Sequence, residues 1–158
     1  MSRNLLLELL EDGDKVSIYS PKFEGEEYTE FEKFILQYKD THAEDLQIIV
    51  ARIDKIKEDG AEDRHFRYEG SKRDNVYALP SHFDSTNLRL YCLIIQHKVI
   101  ILGNGGLKTT RTYNEDSILN NEVETLQKID IQIKEKEKKR VIYIRGTKLL
   151  GELELTIE

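Results

Sequence analysis

Leu88-Arg89-Leu90-Tyr91-Cys92-Leu93-Ile94-Ile95, followed after Gln96-His97-Lys98 by Val99-Ile100-Ile101-Leu102, is the stretch whose reading decides the fold of this 158-residue chain. Two short, nearly continuous apolar runs rich in leucine and β-branched residues, broken by three polar ones, read as a strand hairpin buried on both sides. The core is expected to gather on it.

Outward from that hairpin, short segments at 65–68 and 75–79, separated by Gly, Asp and Ser, read as further antiparallel strands. Upstream, Tyr28, Phe31, Phe34, Ile35 and Tyr38 recur at helical spacing. A second helix starts at Thr41, where Thr41 and Glu44 have capping-box spacing, carries Leu46, Ile49, Val50, Ile53 and Ile56, and stops near Gly60. At the N-terminus, Leu5–Leu10 and Val16–Tyr19 flank an Asp-Gly pair and read as a hairpin. Downstream, a third helix starts at Asn114 or Asp116, carries Leu119, Val123, Leu126, Ile129 and Ile133 inward, and ends in the charged stretch 134–140. Val141–Arg145 and Leu149–Leu155, with a turn at Gly146, close the chain as a last hairpin. The order predicts a single α+β domain over residues 1–158: a small curved antiparallel sheet packed against two or three helices, with extra N- and C-terminal strands.

No apolar run reaches the roughly 18–20 residues that span a bilayer, and the N-terminus lacks a signal peptide's apolar core. Cys92 is the one cysteine, and no Cys or His pair has zinc-site spacing. A cytoplasmic protein with no membrane partner, metal or cofactor is expected. The net charge of −6 hides an uneven distribution. Residues 1–63 hold 8 basic and 17 acidic side chains, residues 64–114 hold 8 and 3, and residues 115–158 hold 8 and 10. The basic middle third can make a positive surface on an acidic chain.

Gly103-Asn104-Gly105-Gly106-Leu107-Lys108-Thr109-Thr110 follows an apolar strand as a phosphate-binding loop does, but Leu107 stands where Gly must precede the Lys. The segment reads as a glycine turn at a strand end.

Three basic groups frame the central hairpin: Arg64, His65, Arg67, Lys72 and Arg73; Arg89 with Tyr91; and Lys108, Arg111 and Tyr113. Brought together, such side chains stabilise the charge of a phosphodiester transition state without metal and supply a general acid or base. The structural alternative for Arg89 is an ion pair with Asp74 or Asp84, and for Tyr91 a place in the core.

The order strand, helix pair, then Phe66-Arg67-Tyr68, Leu88-Arg89-Leu90-Tyr91, Ile100-Ile101-Leu102 and Leu107-Lys108-Thr109-Thr110 resembles the RelE/HigB toxin superfamily over roughly residues 16–135. The resemblance implies a RelE-like fold and a type II toxin that cleaves mRNA on the ribosome without metal or cofactor, held in check by a cognate antitoxin protein. It implies that Arg67 and Arg89 hold the scissile phosphate, that Lys72 or Lys108 takes or shares the proton, and that Tyr91 or Tyr113 stacks on a base. Arg64, His65, Arg73, Arg111 and Tyr113 are then RNA-binding, and a homodimer is an assembly the reading allows. The competing expectation is a non-catalytic protein-interaction module on the same scaffold, with an exposed apolar patch and no dependence on these arginines.

Overall fold

A computed structural model describes residues 1–68, 74–109 and 116–158. Lys72, Arg73, Arg111 and Tyr113 lie outside these described residues.

Strand β1 (Arg3–Glu11) and β2 (Ser17–Phe23) form the expected N-terminal hairpin. Helix α1 (Glu30–Tyr38) follows at once, opened by a capping box in which the Thr29 hydroxyl accepts from the Glu32 N–H and the Glu32 carboxylate accepts from the Thr29 N–H. The box expected at Thr41 and Glu44 does not form: α2 (Ala43–Asp59) has His42 at its N-cap, without a side-chain cap, because the Thr41 hydroxyl is taken by the His42 ring. Helix α2 ends on Gly60 at φ 95°, a conformation only glycine adopts cheaply.

A 3-10 turn (Asp63–His65) leads to β3 (Arg67–Tyr68) and β4 (Val76–Leu79), and the central hairpin is β5 (Leu88–Ile95) with β6 (Val99–Leu107). Helix α3 (Ser117–Lys138) starts where Asp116 accepts from the N–H groups of Ile118 and Leu119. It ends at Lys138, inside the charged stretch as expected, with Lys134 reaching the buried Asp130 of the preceding turn at 2.8 Å. The closing hairpin divides: β7 (Ile142–Arg145) pairs with β8 (Lys148–Gly151), and Gly151 at φ 106° releases β9 (Glu154–Ile157) to pair with β1.

The main sheet is larger than expected, with seven strands in the order β3-β4-β5-β6-β2-β1-β9, and it is not wholly antiparallel. Ser17, Ile18 and Tyr19 of β2 lie parallel to Val99, Ile100 and Ile101 of β6. This pairing joins the two hairpins side by side. The helices cover both faces. Leu90, Cys92 and Ile94 of β5 meet Phe34 of α1 and Ile49, Ile53 and Ile56 of α2. Tyr91, Leu93 and Ile95 meet Leu119, Val123, Leu126 and Ile129 of α3, with Ile142 and Leu149 of the β7–β8 hairpin. Every residue of β5 is therefore buried, as in strands covered on two sides.

The glycines at 103, 105 and 106 lie inside β6, not in a turn, and the reason is close packing. A Cβ at Gly103 would stand 3.1 Å from Leu126, and one at Gly106 would stand 3.2 Å from Leu119, so bare backbone lets α3 approach the sheet. At Gly105, where the β5–β6 register shifts, a Cβ would fall 1.8 Å from the Arg89 carbonyl oxygen. Backbone cannot yield that distance. Gly105→Ala is expected to cost about 3 kcal/mol, lowering Tm by roughly 6–12 °C in thermal denaturation.

Candidate functional site

The segment Pro80–Asn87 links β4 to β5 and carries the residues on which the basic side chains converge. It begins with a cis Leu79–Pro80 bond, and a turn closes through the Asp84 N–H to the Ser81 carbonyl. Its outward carbonyl groups need donors, since unpaired backbone acceptors near a core cost free energy.

Arginine supplies them. From β3, Arg67 donates through Nε to the Pro80 oxygen at 2.8 Å and through Nη2 to the Ser81 and Asp84 oxygens at 3.2 Å each. From β5, Arg89 donates through Nη1 to the Thr86 oxygen and, at 3.1 Å, to the Leu88 oxygen. From α2, Arg52 grips the Asp84 carboxylate through Nε and Nη2 at 3.1 Å each. A guanidinium has five donors in a rigid fork, so each arginine fixes several points of one segment.

Arg52 reaches one step further. Its Nη1 lies 3.0 Å from Nδ1 of His65, which is fully buried. An arginine can only donate, so Nδ1 accepts and the ring is neutral, with Nε2 facing the Asp59 carboxylate at 3.2 Å. Burial first, then the Arg64 and Arg52 charges, hold the His65 pKa below its usual range.

Of the predicted catalytic residues, Arg67, Arg89, Tyr91 and Lys108 fall among the described residues. Arg67 and Arg89 are directed at backbone oxygens, and Arg89 is only 8% exposed. Neither ion pair proposed for Arg89 is its visible role; Asp84 belongs to Arg52. Tyr91 is fully enclosed among the α3-facing core, so its ring has no face to offer a base. Arg64 is exposed but paired with Asp59 at 2.7 Å and Glu62 at 3.0 Å. His65, predicted to bind RNA, is buried and links Arg52 to Asp59. Lys108 is half-buried just beyond β6, where its N–H meets the Asn87 oxygen. Cys92 is buried, which pushes its thiol pKa up and suits the expected core role.

Two residues that sequence reasoning passed over define the site instead. Arg52 sits among charged residues on α2 with nothing local to mark its role. Phe83, at the tip of the braced turn, is 82% exposed, far more than the other phenylalanines. Elsewhere, Glu122 on α3 is held in an apolar setting near Glu30, and burial followed by that charge pushes its carboxyl pKa up to about 7.

Two measurements check this geometry. Arg67→Met removes three carbonyl donors and is expected to cost about 2 kcal/mol, with new protease cutting confined to residues 80–87. For His65, the unfolded ring takes up a proton below about pH 6.5 that the folded ring refuses, so its contribution is complete above that pH and falls as the pH drops toward the depressed folded value. Urea midpoints of His65→Gln are expected to lose that part of the acid decline. Comparison of the chain with protein-family models, curated proteins and solved structures finds no match.

Proposed function

We propose that the chain is a non-catalytic protein-interaction module that inserts Phe83 into an apolar cleft of a protein partner. The observation that carries this reading is the combination at Pro80–Asn87: Arg67 and Arg89 brace its backbone and Arg52 holds its Asp84 carboxylate while the turn holds an aromatic ring in solvent. Most of the ring's apolar surface is in water, and burying a phenylalanine side chain stabilises a complex by about 1.5–3 kcal/mol. A turn fixed before binding loses little conformational freedom on docking, and rigid aromatic anchors of this kind carry interface energy. The flanks set the partner's chemistry. His82 and Arg67 lie beside the turn and Lys108 near it, so the complementary cleft is rimmed by carboxylates.

A second reading has one observation in its favour: an exposed aromatic in a basic part of the chain also suits base stacking. This is the RelE/HigB-like endoribonuclease, acting on mRNA at the ribosome and restrained by an antitoxin, which the sequence resembles.

One experiment separates them. A photo-crosslinking phenylalanine analogue at position 83 identifies the bound protein, whose affinity is then measured with purified chain. Phe83→Ala, at unchanged Tm, is expected to weaken binding by about 30-fold, and Arg67→Met by a smaller factor through lost preorganisation. Binding indifferent to Phe83→Ala sinks the module reading. So does mRNA cleavage on ribosomes by the wild type that an Arg67→Ala/Arg89→Ala variant of matched folded yield no longer performs; that outcome selects the endoribonuclease.

A further inference from the structure

At the end of β5 away from Phe83, three turns meet around an open hollow of about 500 Å³ lined by Asp12–Lys15, Lys98 and Arg145–Lys148. They belong to the β1–β2, β5–β6 and β7–β8 connections, which are far apart in sequence. The Ser17 N–H bonds to the Lys98 oxygen at 3.1 Å, tying the first turn to the second. The Thr147 hydroxyl donates to the Gly13 oxygen at 2.6 Å and meets the Ser17 hydroxyl at 2.9 Å, tying the first to the third. Ser17 is fully buried, so this hydroxyl network is part of the fold and the turns are held together without a ligand.

Each turn brings a cation to the hollow: Lys15, Lys98, and Arg145 with Lys148. Asp12 is already engaged by Lys148 at 3.2 Å and by the Ser17 hydroxyl. Among the described residues, no carboxylate lies within ion-pair distance of Lys15, Lys98 or Arg145. Three cations gathered by a rigid network on a chain of net charge −6 are a local inversion of sign. Convergent cations in a concave site raise the local concentration of anions, and the volume matches a nucleotide-sized ligand.

We propose that this hollow binds a small polyphosphate anion. Arginine and lysine are the side chains that recognise phosphate oxygens, Arg145 by its planar fork and the lysines as point charges. A small ligand is favoured over a nucleic-acid strand because the hollow is bounded by three turns, with Asp14 at its lining, and the acidic remainder of the chain repels a long polyanion.

The test is a titration of the isotope-labelled full chain with inorganic pyrophosphate, followed through backbone amide shifts. Saturable shifts at Gly13, Gly146 and Thr147 with Kd near or below about 1 mM are expected. In Lys98→Gln/Arg145→Gln, at unchanged Tm, affinity is expected to fall at least about tenfold, while Lys98→Arg retains it. Shifts that stay linear in ligand, or that are unchanged in the double variant, overturn the proposal. A short single-stranded RNA that binds more tightly than pyrophosphate, with shifts spreading beyond the three turns, overturns the assignment to a small anion. The readout is independent of Phe83 and its partner.

Discussion

Two antiparallel hairpins, β1–β2 and β5–β6, become one sheet because Ser17–Tyr19 of β2 take a parallel register against Val99–Ile101 of β6, and much of the molecule is hung on that seam. The buried Ser20 hydroxyl donates to the Leu102 oxygen across it at 2.6 Å and accepts from the Phe31 N–H at 3.0 Å, so one side chain pins the sheet to the first turn of α1. Once α1 and α2 are fixed over β5 and β6, Arg52 of α2 stands where it reaches both His65 and Asp84. The same seam brings Ser17 beside Lys98 and so assembles the hollow at the other end.

The bracing of Pro80–Asn87 follows from a balance of costs. A half-buried guanidinium needs acceptors, and a connection leaving a sandwiched sheet has carbonyl groups turned away from any ladder. Each deficiency answers the other at Arg67 and Arg89. Nε and Nη2 of Arg67 and Nη1 of Arg89 are thereby committed. A phosphate would have to compete with several backbone oxygens for the same fork, and a protein that used these arginines for catalysis would have to give up the turn's geometry at each binding event. Holding Phe83 steady is the role that asks for no such rearrangement.

Much of the scaffold was legible because it is written locally. The spacing of Phe31, Phe34 and Tyr38, the apolar runs at 88–95 and 99–102, and Asp116 ahead of Leu119 each specify an element within a few residues. What was not legible depends on distant partners. Thr29 with Glu32 and Thr41 with Glu44 show the same capping spacing, and only the first is free of a competing neighbour. The glycines of β6 look like a turn until α3 is known to press on them. The parallel seam joins segments some eighty residues apart and leaves no local mark. For the site, sequence marks Arg67 and Arg89 as candidates without showing the carbonyl oxygens they meet, because a carbonyl oxygen has no letter in the sequence whereas a carboxylate does.

Charge shows the same limit in a different way. The middle third of the chain is basic by count, yet Arg64 is paired with Asp59 and Glu62, while Arg67 and Arg89 are turned onto backbone oxygens. Its positive surface is therefore smaller than its composition implies. The cations that face solvent without a carboxylate partner include Lys15 and Arg145, which come from the acidic first and last thirds, and Lys98, which lies on a turn and not among the strand arginines. Net charge per segment sums side chains whatever they touch, whereas a ligand in solution responds only to those left unneutralised at the surface. The polarity of the surface is thus set by topology: β5 buries Arg89, Arg67 is turned onto backbone oxygens from the edge strand β3, and three turns at one end gather basic side chains that no single stretch of sequence contains.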